Sequence, residues 1–213
     1  MSEESERNDS NNQDDNIRIR AAIPDFEEGL LYAQLCNEAS EGFFKSILGT
    51  KTYEILADAF VKSNNEYSFE NTLMIECNGK IAGMVSGYTY EEKQRFRKNI
   101  LSEFPGGAKL RIMVFSVVGK LLSHFLEPRG QEDYYLQSIA VSSQMRGKGL
   151  GQRLLKHSSQ IAISKGSKTL SLDVSSKNKN AIKSYKRFGM GTSSVWPNFL
   201  KLPPVFTRMS KAL

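Results

Sequence analysis

Three glycines at alternate positions, Gly147, Gly149 and Gly151, close the stretch Gln144-Met145-Arg146-Gly147-Lys148-Gly149-Leu150-Gly151. An apolar, strand-like run over residues 134–141 leads into it, and a helical pattern leaves it through Gln152-Arg153-Leu154-Leu155. Removing every Cβ from one short arc lets backbone N–H groups close on a ligand that side chains would hold off. Because the arc opens directly into a helix, the unpaired N–H groups of the first turn and the positive end of the macrodipole face the same space. An anion, phosphate above all, is the expected guest.

The rest of the chain arranges itself around this arc. Ile17-Arg18-Ile19-Arg20-Ala21-Ala22 alternates as a half-buried strand does, and Pro24-Asp25 opens a helix expected to turn Leu30, Leu31, Ala33 and Leu35 toward the core. Two further helical pieces follow at 43–48 and 52–62, either lying over the sheet or lining an acceptor groove. Residues 72–77 and 80–88 read as strands joined by Asn78-Gly79, a strong hairpin signal. Helical patterns then cover 91–104 and 109–126, so residues 91–129 read as a helical insertion before the central strand. In that strand Leu136, Ser138 and Ala140 are assigned one face, and Tyr135, Gln137, Ile139 and Val141 the other. A helix over 149–165, a strand over 169–174, a helix over 179–187 and strands at 191–196 and 205–213 complete the order. Strand, helix, strand, helix in the middle demands parallel pairing, and the hairpins demand antiparallel pairing. The fold class is α/β, with a mixed, mostly antiparallel central sheet of about seven strands and helices on both faces.

Charge narrows the class of function without choosing within it. Residues 1–16 carry six acids and one Arg, a net of −5, so the remainder carries +11 against the +6 of the whole chain. This N-terminal stretch has no apolar residue after Met1 and is expected to be a disordered acidic tail ahead of one domain over 17–213. A basic body attracts nucleic acid, anionic lipid or a polyanionic cofactor. No nucleic-acid recognition motif accompanies the charge, so no nucleic-acid partner is expected. The most apolar window, 110–126, contains Arg111, Lys120 and His124 and is too short to span a bilayer. Cys36 and Cys77 stand far apart with no metal or disulfide spacing, and no secretory signal opens the chain, which together suggest a reducing, cytoplasmic setting and no metal.

The arc fits neither familiar nucleotide fingerprint. A dinucleotide site needs a glycine where Gln152 stands, and a P-loop needs Lys and then Ser or Thr where Gly151-Gln152 stands. A second element settles the matter: Asn178, Ala181, Tyr185 and Gly189 recur at spacings of three, four and four. With Gln144, Gly147 and Gly149 in the arc, this pattern resembles the GNAT superfamily of N-acetyltransferases over residues 130–190, and a GNAT (acyl-CoA N-acyltransferase) fold is expected. The resemblance does not extend to the 91–129 insertion.

The resemblance implies acetyl-CoA as cosubstrate. The backbone from Met145 through Arg146, Gly147, Lys148, Gly149, Leu150 and Gly151 to Gln152 would cradle its pyrophosphate, with Gln144 at the start of the signature. Ile139 and Val141, with Ala140 between them, would offer backbone groups to the pantetheine arm in a gap splayed against the strand at 169–174. Arg146, Lys148, Arg153 and Lys186 can add charge near the phosphates. Asn178 would both bond the splayed strand and cofactor and serve as the N-cap of its helix. Ala181 and Tyr185 on that helix would also meet the cofactor, and Tyr185 is the first choice for general acid toward the leaving sulfur. Glu132 and Asp133 are the carboxylates nearest the central strand and candidate general bases. His157, in phase with Leu150, Leu154 and Ile161, reads as a satisfied, partly buried residue. The expected function is acetyl transfer to a primary amine, on a small molecule, peptide or protein, by direct attack in a ternary complex. A non-catalytic coenzyme A-binding sensor or partner module of the same fold is the alternative, and either a monomer or a homodimer is compatible with the sequence.

Overall fold

The computed structural model describes residues 16–97, 130–197 and 203–213. The elements run β1 (Ile17–Ala21), α1 (Phe26–Ala39), α2 (Phe43–Leu48), α3 (Thr52–Phe60), β2 (Thr72–Cys77), β3 (Lys80–Thr89), α4 (Tyr90–Arg97), β4 (Asp133–Val141), α5 (Leu150–Ser164), β5 (Thr169–Ser175), α6 (Lys179–Arg187), β6 (Gly191–Trp196) and β7 (Phe206–Ala212). Residues 1–15 of the expected acidic tail over 1–16, and the remainder of the helical insertion, 98–129, lie outside the described residues. The first turns of the insertion form α4, and Asn16 is fastened to the hairpin turn through its N–H, which donates to Asn78 Oδ1 at 3.0 Å.

One seven-stranded sheet in the order β1-β2-β3-β4-β5-β7-β6 carries everything else. Only β4 and β5 run parallel; every other neighbouring pair is antiparallel. The β2–β3 hairpin turns at Asn78 and Gly79, whose φ values of 52° and 74° are those of a tight primed turn. Gly83 permits a close approach further along: a Cβ there would stand 2.5 Å from the Ala140 carbonyl oxygen, so β3 and β4 meet at that point only because the side chain is missing.

Apolar side chains divide over the two faces. On one, Leu150, Leu154, Leu155 and Ala162 of α5 pack with Ile75, Val85, Tyr134, Leu136, Leu170, Leu172, Val174 and Met209, and Ala181, Ile182 and Tyr185 of α6 join them with Phe188, the residue that follows the helix. On the other, Tyr32, Ala33, Leu35 and Cys36 of α1 and Leu56 and Phe60 of α3 cover Met74, Met84 and Ala140. Helix α1 starts where Asp25 Oδ1 accepts the Glu28 N–H at 2.9 Å, and Glu28 in turn holds Arg20 of β1 at 2.7 Å.

Two expectations need correction. Leu31 is 42% exposed instead of facing the core. The buried stripe is Gly29, Tyr32, Ala33 and Cys36, at the i, i+3, i+4, i+7 spacing of one helix face, because α1 crosses α3 at Gly29, where a Cβ would press to 3.1 Å on Ala57 Cα and Phe60 Cδ1. The faces of β4 are also redistributed. Ser86 faces Ser138 and Gly87 faces Leu136, so Gln137 is an extra residue, a β-bulge. Alternation resets there. Leu136 therefore shares the α5 face with Ile139 and Val141, while Ala140 faces α1.

Candidate functional site

The glycine arc begins at a single 3₁₀ turn over Ser143–Met145, in which Met145 N–H donates to the Ser142 carbonyl at 2.9 Å. Gly147 and Gly149 then take φ of 85° and 77°, left-handed values that a side chain resists. Apart from the glycine and its chain neighbours, no atom of the described residues lies within 4 Å of a Cβ built on either glycine, and on Gly151 the nearest is Val141 Cγ2 at 4.0 Å. The arc is thus open on its outer side. Gly149 is the N-cap of α5 and offers no capping side chain, so the first-turn N–H groups of Leu150 and Gly151 face outward as a ready anion site.

Side chains around the arc behave differently from one another. Gln144 and Lys148 are exposed, while Met145 packs against the α5-face core. Arg146 folds back, its Nε donating to the Val141 carbonyl at 3.1 Å and its Nη2 lying 3.6 Å from Glu38 on α1. Arg153 lines a groove of about 540 Å³ with Ile17, Ile19, Lys156, His157 and Gln160, toward β1 and away from β5. Half-buried His157 keeps the expected place on α5.

Next to the arc the sheet divides. Strands β4 and β5 pair only over Asp133 to Leu136 and Thr169 to Leu172. Past that point β4 stays with β3 as far as Val141, and β5 stays with β7 as far as Ser175. Half-buried Ile139 and Val141 border the resulting gap with Ala140 between them, and Gln137 belongs to neither ladder.

Helix α6 closes the other side. Asn178 Oδ1 accepts the Ala181 N–H at 3.0 Å, the expected N-cap. Gln152 Nε2 donates to the Ser184 carbonyl at 2.9 Å and lies 3.0 Å from Ser184 Oγ, tying the first turn of α5 to α6. The two sequence signatures are therefore neighbours in space. Half-buried Tyr185 packs against the shared core, and burial pushes its hydroxyl up to about 12, so it is protonated at neutral pH.

Glu132 and Asp133 fall at the opposite end of β4. Glu132 is exposed and pairs with Lys168 at 2.5 Å. Asp133 is buried and accepts the Ser171 hydroxyl at 2.8 Å. Six residues of strand, about 20 Å, separate Asp133 from Ile139.

Polar groups on the α1 side of the gap carry no motif in the sequence. Asp173, the first β5 residue beyond the paired segment, holds Arg208 of β7 at 2.5 Å, with both side chains nearly closed to solvent. The Arg208 guanidinium lies 5.4 Å from the Tyr135 ring centroid. Burial first, and the neighbouring Asp173 carboxylate second, hold the Tyr135 hydroxyl well above its ordinary range. The one hint in the sequence is a charged residue at an inward position of each strand. Cys36, on the buried face of α1, is pushed up to about 12 by burial, so its thiol stays protonated at neutral pH. Among the described residues no cluster of His, Cys, Asp and Glu could hold a metal ion, and no helix is long and apolar enough to cross a membrane.

Comparison with known proteins agrees with this geometry. The model of the acetyltransferase (GNAT) family matches residues 32–190. The thialysine N-epsilon-acetyltransferase of Mus musculus is 33% identical over 87 residues, 39% of this chain and 51% of that protein. Its Bos taurus counterpart is 38% identical over 55 residues, 26% of this chain and 32% of that protein. The chain thus spans about half the length of the mouse relative and a third of the bovine one. An N-acetyltransferase from Staphylococcus aureus Mu50 superposes with a TM-score of 0.67 at 19% identity, over 91% of this chain and all of that one. A further acetyltransferase structure gives 0.62 at 22% identity, over 92% and 98%. At such identities these structures speak for the fold.

Proposed function

We propose that this chain, which belongs to the acetyltransferase (GNAT) family, transfers an acetyl group from acetyl-CoA to a primary amine by direct attack in a ternary complex. The observation that carries the reading is the division of the sheet at Leu136 and Leu172, opening between β4 and β5 beside the glycine arc. A pantetheine arm fits such a gap as a strand would, taking backbone hydrogen bonds from Ile139 and Val141. The arc from Met145 to Gln152 suits its pyrophosphate, since two left-handed glycines and the start of α5 leave N–H groups and open space together.

Chemically, the nitrogen lone pair attacks the thioester carbon, the carbonyl pair moves to oxygen, and collapse expels the thiolate. A lysine-type amine, with pKa about 10.4, must first lose a proton. Backbone N–H groups of the bulged strand are suited to the transient oxyanion. In this reading Tyr185 donates a hydrogen bond to the sulfur. Complete proton transfer from a hydroxyl near 12 to a thiolate of pKa about 8.5 is uphill by on the order of 5 kcal/mol. Tyr185 therefore stabilises the thiolate, and the proton released by nitrogen finally reaches sulfur or solvent. Glu132 and Asp133 would serve as bases only through a relay of about 20 Å.

The test combines calorimetric titration with acetyl-CoA and a thiol-release assay over primary amines. The panel starts with thialysine, because acetyltransferases named for that amine share part of this sequence. Binding with turnover is expected. Binding without turnover on any amine would mark a coenzyme A sensor, and absence of binding would end the reading.

A further inference from the structure

The bulge in β4 places one side chain where neither strand ladder claims it. Gln137 follows Leu136, the last β4 residue paired with β5, and is skipped in the register with β3. The residue is half-buried, yet its carboxamide oxygen is closed to solvent and accepts no hydrogen bond. Such an oxygen destabilises a fold unless a donor reaches it in use. Its place is the vertex of the gap, next to Ile139 and Val141.

We infer that Gln137 positions the acceptor: its carboxamide oxygen takes an N–H hydrogen bond from the attacking primary amine and sets the line of approach to the thioester. The inference rests on the acetyl-transfer reading. Two N–H donors enter the gap in that reaction, the amine and the pantetheine amides. Backbone groups of Ile139 and Val141 are assigned to the amides, which leaves the Gln137 side chain for the amine. A carboxamide accepts a hydrogen bond but takes no proton at working pH, so Gln137 orients the amine without activating it. The acid limb of the pH profile should accordingly follow the amine's own titration.

Gln137→Met and Gln137→Glu test this. The Met variant should melt no lower than the parent, since an unpartnered buried oxygen has been replaced by an apolar group of similar volume. It should lose about 10- to 100-fold in kcat/KM for the amine, with the dissociation constant of acetyl-CoA unchanged. The Glu variant adds a group able to take the ammonium proton, so the acid limb of kcat/KM against pH should move to lower pH. Unchanged amine kinetics in the Met variant overturn the inference. Weaker acetyl-CoA binding with an unaltered amine KM also overturns it, by giving the oxygen to the pantetheine arm. A parent protein that binds acetyl-CoA but acetylates no amine fails in the transfer reading, a result that is seen before any variant is made.

Discussion

Leu136 of β4 and Leu172 of β5 are the last residues at which the two parallel strands face each other. Both side chains are 2% exposed and sit in the core beneath α5. The vertex of the gap is thus fixed by packed apolar groups, while its borders are backbone and polar side chains. The bulge at Gln137 turns β4 immediately past this pair, and a bulged strand bends and twists more than a regular one. Separation of the strands is therefore built into the protein's own packing.

At the mouth of the gap, Gly149→Asp is the sharpest probe of the arc. Its φ of 77° strains any L side chain by roughly 1–2 kcal/mol, and the open space beyond directs the new carboxylate outward, against the expected phosphates. Gly149→Ala carries the strain without the charge. Calorimetry should show acetyl-CoA binding lost in the Asp variant and weakened by tenfold or less in the Ala variant, with similar melting temperatures for the two. Equal affinities would remove the pyrophosphate from this arc.

Features fixed by neighbouring residues are legible in the sequence, and features fixed by pairing between distant segments are not. Asn78-Gly79 announces its turn because both residues accept positive φ. Asn178 announces α6 because an N-cap needs only the N–H three residues on. The β4 faces could not be read, because Leu136, Ser138 and Ala140 alternate without interruption and the bulge exists only relative to Ser86 and Gly87 of β3. Arg208 and Asp173, 35 residues apart, meet only once β5 and β7 have paired. Arg146 likewise gave no sign of turning back to the Val141 carbonyl, since its neighbours suggested phosphate.

Tyr185→Phe keeps the ring in the core shared with α6 and removes only the hydroxyl. With acetyl-CoA affinity unchanged, kcat should fall about 100-fold, the size expected of a positioned group that acts at the leaving atom. The loss should be smallest for thioesters whose thiol is most acidic, because their thiolates need least help. Single-turnover rates over a series of acyl donors would measure this, and a uniform rate would leave Tyr185 a packing residue.

Stability should decline on the alkaline side. Burial raises Cys36 to about 12 and carries Tyr32, Tyr67 and Tyr135 well above their ordinary range. Below about pH 8.5 these groups are protonated whether the chain is folded or not, and their contribution is complete. Above it the unfolded chain releases protons that the folded chain retains, so stability falls as pH rises. The slope should begin near 1.4 kcal/mol per pH unit for Cys36 and steepen past about pH 10 as the tyrosines join. Urea midpoints measured from pH 8 to 11 should show this decline, and a flat series would contradict it.

Arg208→Met separates two accounts of the ion pair beside the gap. The side chains of Arg208 and Asp173 are 3% and 5% exposed, and the guanidinium reaches both carboxylate oxygens, Nε to Oδ1 at 3.1 Å and Nη2 to Oδ2 at 2.5 Å. If the pair chiefly stabilises the fold, both single variants and the double variant should lose similar amounts. Desolvation argues otherwise: removing one charge strands the other in a poorly solvated site, while removing both returns most of the cost of burial. Arg208→Met alone should therefore lose about 3–5 kcal/mol in urea unfolding, and adding Asp173→Leu should recover more than half of that. Recovery of stability without recovery of amine KM would then assign the pair to shaping the α1 side of the gap, where the Tyr135 ring lies over Arg208.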